Sequence, residues 1–290
     1  MSALAVGALA FLSGCDAYDV GKPFGGFGWP DKTPTPQSQQ MYEMWIWSVV
    51  AAFFVGFFVW GLIFWCIIVY RKRKGDTELP VQTRFNLPIE VLYSVLPFLV
   101  IAVLFYYTAV IQTNVNKLSP NPDVTVEVVA FKWEWQFNYK SAPDTDSSAA
   151  TIATTTGASD YVPVLVVPTG KTIRIEETSK DVIHSFWVPD LLFKRDVFPG
   201  NVRNVFEVTI DEPGSYVGRC AELCGTYHSM MNFEVRAVSP EDYQKFLDAK
   251  KAGKTTPEAL TAIGSDPYST TTSPFNMKKD AQQVPVSTGN

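Results

Sequence analysis

A chain of 290 residues, 47% hydrophobic and 18% charged with a net charge of −5, is long enough to combine membrane segments with a soluble domain. Four cysteines and two histidines exclude a disulfide-stapled mini-domain, because Cys15 and Cys66 each fall in a segment with another explanation. Residues 1–111 carry seven acids and seven bases, so the whole net charge of −5 lies in residues 112–290.

Residues 1–14 read as an export signal, with an apolar run at 3–12 too short to span a bilayer. Leu12-Ser13-Gly14-Cys15 resembles a bacterial lipoprotein cleavage box, which implies a lipid on Cys15, although no charged residue precedes Asp16. One acyl anchor adds little beside two membrane helices. Residues 15–40, with Gly25-Gly26 and Pro34-Thr35-Pro36, read as an extended linker on the outer surface.

Residues 41–112 read as a transmembrane helix hairpin. The first span, 44–70, holds no charge and is long enough to cross with some tilt. Trp45, Trp47, Trp65 and Tyr70 sit near its ends as interfacial aromatics. Cys66, inside it, is a plain buried or lipid-facing thiol. Arg71-Lys72-Arg73-Lys74 follows at once; beside a span, such a run marks a cytoplasmic loop rather than a nucleic-acid patch. The second span is 87–111, with Pro97 tolerated as membrane helices allow and Tyr106 and Tyr107 at the far interface. Everything after Ile111 then lies outside the cytoplasm. Glu90 is the one acid at the cytoplasmic start of this helix. It either meets the helix dipole favourably or, as an ionisable group at a membrane helix, has a functional part.

From Asn121 the pattern changes to short β-rich runs at 124–129, 131–139, 162–167, 172–177, 205–210, 215–218 and 233–238. Pro168-Thr169-Gly170, Phe198-Pro199-Gly200 and Glu212-Pro213-Gly214 punctuate them. This spacing predicts an all-β sandwich or barrel of Greek-key type over residues 113–240. Residues 141–160, rich in Ser, Thr and Ala, read as a long exposed hairpin insertion. Strict alternation through Phe131-Lys132-Trp133-Glu134-Trp135 puts both tryptophans on one face, so pattern alone does not separate their roles. In the extension, 241–290, Ser239-Pro240-Glu241-Asp242 caps a helix over 239–252, and a second short helix is predicted over 256–263. Residues 265–290 read as a disordered or partner-bound tail.

The chemistry concentrates in residues 216–235, which hold Cys220, Glu222, Cys224, His228 and Met231. The other histidine, His184, opens His184-Ser185-Phe186-Trp187-Val188-Pro189. Two thiols, two imidazoles and a thioether are soft and borderline donors, better suited to copper than to calcium or magnesium. Simpler readings stand beside this one. Cys220–Cys224 fits a disulfide in an oxidising compartment. A tetrahedral Cys2His2 zinc site leaves the methionine without a role. A mononuclear blue-copper site needs only one cysteine, whereas two can bridge a pair of copper ions.

The run Cys220-Ala221-Glu222-Leu223-Cys224-Gly225-Thr226-Tyr227-His228-Ser229-Met230-Met231 resembles the C-x-E-x-C-G-x-x-H-x-x-M motif of the binuclear CuA centre in the cytochrome c oxidase subunit II family. Residues 184–189 resemble that family's upstream H-S-x-x-x-P loop, and the likeness runs from residue 41 to 238. It implies a cupredoxin-like domain in which Cys220 and Cys224 bridge two copper ions. His184, His228, Met231 and the Glu222 backbone carbonyl are then the remaining ligands, the family spacing selecting Met231 over Met230. The resemblance also implies that the Glu222 carboxylate ligates a magnesium or manganese ion shared with subunit I. Lys194 and Asp196 match a loop that packs against the catalytic subunit. Trp133 matches the exposed tryptophan that receives electrons from cytochrome c. Glu90, in E-V-L-Y-S-V-L-P, matches the glutamate at the entrance of the K proton pathway.

The function so implied is that of subunit II of a haem–copper oxidase in a bacterial plasma membrane, two-pass, with the CuA domain on the outer, periplasmic face. Electrons taken from a c-type cytochrome go to haem in subunit I, where oxygen is reduced to water and protons are translocated. Subunits I and III are the implied partners, and the anchored start and long tail suggest a donor held in a bc-type complex, forming a supercomplex. Once copper takes both histidines, none is left to bind haem. The acidic half of the chain can steer a basic redox partner. Quinol oxidase relatives lack the copper ligands, and the CuA domain of nitrous oxide reductase lacks the hairpin. A membrane-tethered copper chaperone or store would want an exposed, exchangeable site.

Overall fold

The structure, a computed structural model, describes residues 33–75, 77–79, 81–141 and 149–274. The predicted export signal, the predicted lipidation site Cys15, most of the 15–40 linker and the tail beyond 274 lie outside the described residues.

Helix α1 (Pro36–Val69) opens on a capping box, Thr35 accepting from the Ser38 amide at 2.8 Å with Pro36 in the first turn. Helix α2 (Leu87–Val115) is capped by Asn86. Both are long and apolar enough to cross a membrane, with window hydropathies of 2.5 and 2.3. Their apolar side chains are exposed all round, which fits lipid as the solvent. Each helix extends beyond its predicted apolar span. The added turns carry Gln39, Gln40 and Glu43 in α1 and Gln112 and Asn114 in α2, polar residues that belong at the interface.

Ten strands follow among the described residues: β1 (Val124–Phe131), β2 (Glu134–Lys140), β3 (Thr151–Thr156), β4 (Val164–Pro168), β5 (Thr172–Ser179), β6 (His184–Val188), β7 (Phe193–Val197), β8 (Asn204–Thr209), β9 (Gly214–Cys220) and β10 (Asn232–Val238). They form two five-stranded sheets, ordered β3-β2-β1-β5-β8 and β4-β10-β9-β6-β7. The β1–β5 and β4–β10 pairs are parallel and the others antiparallel. This is the expected cupredoxin-like sandwich. Its core is aromatic: Trp135, Phe137, Tyr139, Phe186, Phe206 and Phe233 are buried between the sheets. The Tyr139 hydroxyl accepts the Val166 amide at 2.9 Å and so ties one sheet to the other.

Three predictions needed correction. The run 131–139 is not one strand: β1 ends at Phe131, the chain turns at Lys132-Trp133, and β2 starts at Glu134. Strands β3, β6 and β7 were not expected. β3 is a threonine-rich edge strand inside 141–160, and the charged centre of β7 masks its alternation. Residues 265–272 are also pinned. Buried Glu234 accepts from the Ser269 hydroxyl at 2.9 Å and from the Thr270 and Thr271 amides at 2.7 and 2.9 Å. Arg236 pairs with Glu234 and donates to the Tyr268 carbonyl at 2.8 Å. Helices α3 (Pro240–Lys251) and α4 (Thr256–Ala262) match expectation and bury Tyr243, Phe246 and Leu260 against the sandwich.

Candidate metal centre

Five side chains predicted as ligands arrive from two loops at one end of the second sheet. His184 is the first residue of β6, and Cys220 is the last of β9, its neighbour. The β9–β10 connection then supplies Cys224, His228 at the start of a single 3-10 turn, and Met231 just before β10. Gly225, at φ +125°, carries the chain through a conformation few other residues adopt.

The donor atoms converge. Cys220 and Cys224 are free thiols, their Sγ atoms 3.8 Å apart. His184 Nδ1 lies 3.8 Å from Cys220 Sγ, and His228 Nδ1 lies 3.6 Å from Cys224 Sγ. Met231 Sδ is 3.8 Å from Cys224 Sγ, while the Glu222 carbonyl accepts from the Cys220 thiol at 3.3 Å. The ligand atoms of His184, Cys220 and Cys224 all lie within 4.8 Å of one another. Met231 is 0% exposed and Met230 is 48% exposed, so geometry and spacing select the same methionine.

The electrostatics favour a cation between the sulfurs. Burial works against the Cys220 thiolate, but hydrogen bonding to His184 and to backbone groups of Glu222 and Ser185 outweighs it and brings the thiol down to about 7. Burial and the neighbouring Cys220 charge push Cys224 up to about 12. Two thiolates this close repel, and a metal cation is what lets both ionise. Burial lowers proton affinity at His184, yet Cys220 and Asp181 together raise it.

Asp181 was not singled out from the sequence. Its Oδ1 lies 2.8 Å from His184 Nε2, and its Oδ2 accepts the Lys132 amide at 2.7 Å. One carboxylate thus orients the His184 imidazole and holds the turn that carries Trp133. An acid three residues before the predicted ligand His184 was the available clue.

The two tryptophans separate. Trp135 is 0% exposed, meets His184, Phe186 and Phe233 edge-on, and donates from Nε1 to the Met231 carbonyl at 3.3 Å. Trp133 is half-buried on the turn and packs edge-on to Tyr227, ring centroids 4.9 Å apart. Its ring lies over Gly225, where an added Cβ would sit 3.2 Å from it. Lys194 and Asp196 pair at 2.8 Å on β7, outside the donor cluster. Glu90 is in the first turn of α2, where Oε1 accepts the Asn86 amide at 3.0 Å.

A two-span anchor that carries a β-sandwich with thiol, imidazole and thioether donors gathered at one end defines a membrane-bound, cupredoxin-like metalloprotein. Residues 124–238 match the family described as cytochrome C oxidase subunit II, periplasmic domain. The chain is 44% identical to the probable cytochrome c oxidase subunit 2 of Nocardia farcinica, over 97% of this chain and 89% of that one. It is 39% identical to cytochrome c oxidase subunit 2 of Mycobacterium tuberculosis, over 94% and 88% respectively. The periplasmic domain of subunit II of cytochrome oxidase from Bradyrhizobium japonicum is similar at 27% identity and a TM-score of 0.40, covering 47% of this chain and 99% of that one. The chain belongs to the cytochrome c oxidase subunit II family. Membership implies a copper centre, a place among other oxidase subunits and an outward-facing domain on a membrane anchor.

Proposed function

We propose that this chain is the electron-receiving subunit of a cytochrome c oxidase, with His184, Cys220, Glu222 through its carbonyl, Cys224, His228 and Met231 holding two copper ions as CuA. The observation that carries this is the convergence of three further donor side chains and one carbonyl around two free thiols 3.8 Å apart. Such a copper pair, when bound, stores one electron at a time between a c-type cytochrome and the haem of subunit I.

The chain's own residues prepare that role. Cys220 and Cys224 would hold copper through sulfur, and Asp181 fixes the tautomer and direction of His184. Trp135, Phe186 and Phe233 close the site from the core side and keep water out. Trp133, half-buried above Gly225, faces the donor and passes electrons inward. The Glu222 carboxylate is available to a magnesium or manganese ion shared with subunit I, a hard cation with an oxygen ligand. Lys194 and Asp196 meet subunit I, and Glu90 opens the K proton path on the cytoplasmic side. Cys15 carries the lipid, and the donor cytochrome is held in a bc-type complex, with subunit III completing the oxidase in a bacterial plasma membrane.

Copper analysis and an optical spectrum of the purified chain test the reading. Two coppers per chain and a purple mixed-valence spectrum are expected; one blue copper, or none, would refute it. The buried thiols and fully buried His184 speak against the exchangeable site a copper chaperone or store requires. Purification in mild detergent tests the donor: a free oxidase under all such conditions counts against a bc-type partner.

A further inference from the structure

Glu177 stands on β5 with Ile173 and Ile175, on the face turned into the sandwich. Val128 of β1 and Asn204 of β8 lie beside it in register. The side chain is 0% exposed, and neither carboxylate oxygen has a hydrogen-bond partner among the described residues. An aliphatic residue would complete the core at this position. A carboxylate without partners is instead a heavy liability there, and such groups resolve it by holding a proton. Burial keeps this carboxyl well above the usual range.

The charged groups acting on it both come from β7: Arg195 favours the anion and Asp196 opposes it. Arg195 stacks over the rings of Phe193 and Phe206 at 4.9 and 5.7 Å and donates to Asn116 Oδ1, at the C-cap of α2, at 2.6 Å. Asp196 pairs in register with Ser185, the residue after the ligand His184. Glu177 therefore faces a strand that is tied at one residue to the membrane helix and lies beside the metal loop at the next.

We propose that Glu177 is an internal proton-binding site of the domain whose proton affinity follows the charge at the metal centre. The inference rests on the copper reading above. One electron from a reduced c-type cytochrome oxidises that cytochrome and lowers the charge at the centre by one. In the oxidised state the added positive charge favours the Glu177 anion. On reduction, one proton from the outer aqueous phase forms the O–H bond at Glu177. That bond breaks, and the proton returns to the same phase, when the electron moves on to subunit I.

The test uses the purified full chain in detergent, with copper content measured first. Redox-difference infrared spectra should show a protonated-carboxyl C=O stretch gained on reduction and missing from Glu177→Gln. The midpoint potential of the wild type should fall with pH, at most by about 59 mV per unit for one proton per electron, and the Gln variant should flatten that slope. Glu177→Leu, which fills the core without a carboxyl, should flatten it equally and serves if the Gln variant does not fold. Full copper loading with the same infrared band in wild type and variant, or with an unchanged slope, overturns the proposal. A chain that takes up no copper overturns the copper reading and, with it, the redox link.

Discussion

Trp133 and Trp135 should respond oppositely to the same substitution. Trp135→Phe removes a fully buried indole from a site where it meets three aromatic rings. The hydrogen bond lost is to the Met231 carbonyl, which also accepts the Cys220 amide at 3.0 Å and stays paired. Only its net value, ~0.5–1.5 kcal/mol, is therefore lost. The partial cavity adds ~1–2 kcal/mol, less than the ~3–5 kcal/mol of truncation to alanine. The expected loss is ~1.5–3.5 kcal/mol, a fall in Tm of roughly 3–14 °C for a domain of this size. Trp133→Phe forfeits no hydrogen bond, because its Nε1 has no partner among the described residues, and the ring is half-buried. Its cost should stay under ~1 kcal/mol. Stopped-flow reduction by cytochrome c should nevertheless slow in Trp133→Phe with the copper spectrum intact. Thermal melts and stopped-flow traces on both variants decide. Normal reduction in Trp133→Phe with slow reduction in Trp135→Phe would move the electron-receiving role to Trp135.

Cys220→Ser and Cys224→Ser should abolish the proposed two-copper site, since a hydroxyl is a far poorer copper ligand than a thiolate, and His184→Asn and His228→Asn should come close to that. Met231→Leu should keep two coppers with a shifted potential; equal copper loss in all five variants would contradict the ranking. Glu90→Gln can still accept the Asn86 amide, so stability should change by no more than ~0.3–1 kcal/mol. If the carboxylate gathers protons, oxygen consumption by the reconstituted oxidase should slow while reduction by cytochrome c is unchanged; wild-type turnover at every pH would leave only the capping role. Burial, aided by the charge of Asp160, pushes Glu134 up to about 8. A raised folded pKa contributes stability that is complete below the unfolded value and lost as pH rises through the folded one. Glu134→Gln, which mimics the neutral acid, should therefore gain on the wild type as pH climbs from about 4.5 to about 8, read from urea midpoints; a variant that loses ground over that window refutes the assignment.

The donor cluster was legible because its residue types and spacings form a linear motif, and the fold brings those side chains together. The two spans were legible for a similar reason: hydrocarbon imposes length and composition. What the pattern hid follows from breaks in periodicity. Alternation through 131–139 fails because the turn at Lys132-Trp133 resets the phase, so Trp135 faces the core with Phe137 and Tyr139 while Trp133 sits on no strand. Glu234 and Arg236 look like a solvent face, yet both are buried because residues 265–272 fold over them and satisfy their charges. Asp181 escaped notice because one of its partners is a backbone amide, which any residue at position 132 would offer.

The connection between membrane and domain is short and fully engaged, and this decides how the metal end is presented. Ser119 donates from its amide and its hydroxyl to Glu207, both at 2.9 Å, and Glu207 in turn pairs with buried Arg174 at 2.7 Å. The Asp123 amide donates to the Thr172 carbonyl at 3.0 Å, and its carboxylate accepts the Thr172 amide at 2.9 Å. On the other side of the hairpin, the Pro34 carbonyl accepts the Asp211 amide at 2.8 Å. The bonds accepted by the Glu207 and Asp123 carboxylates contribute ~1.5–3 kcal/mol each, more than the backbone–backbone bonds beside them. Arg195, anchored to Asn116, then places Lys194 and Asp196 at a set position relative to the membrane. A fixed β7 keeps its neighbour β6, and with it His184, at a constant distance from whatever subunit packs on that edge. Under the function proposed above, a set distance between His184 and the neighbouring subunit is what passing an electron between them requires.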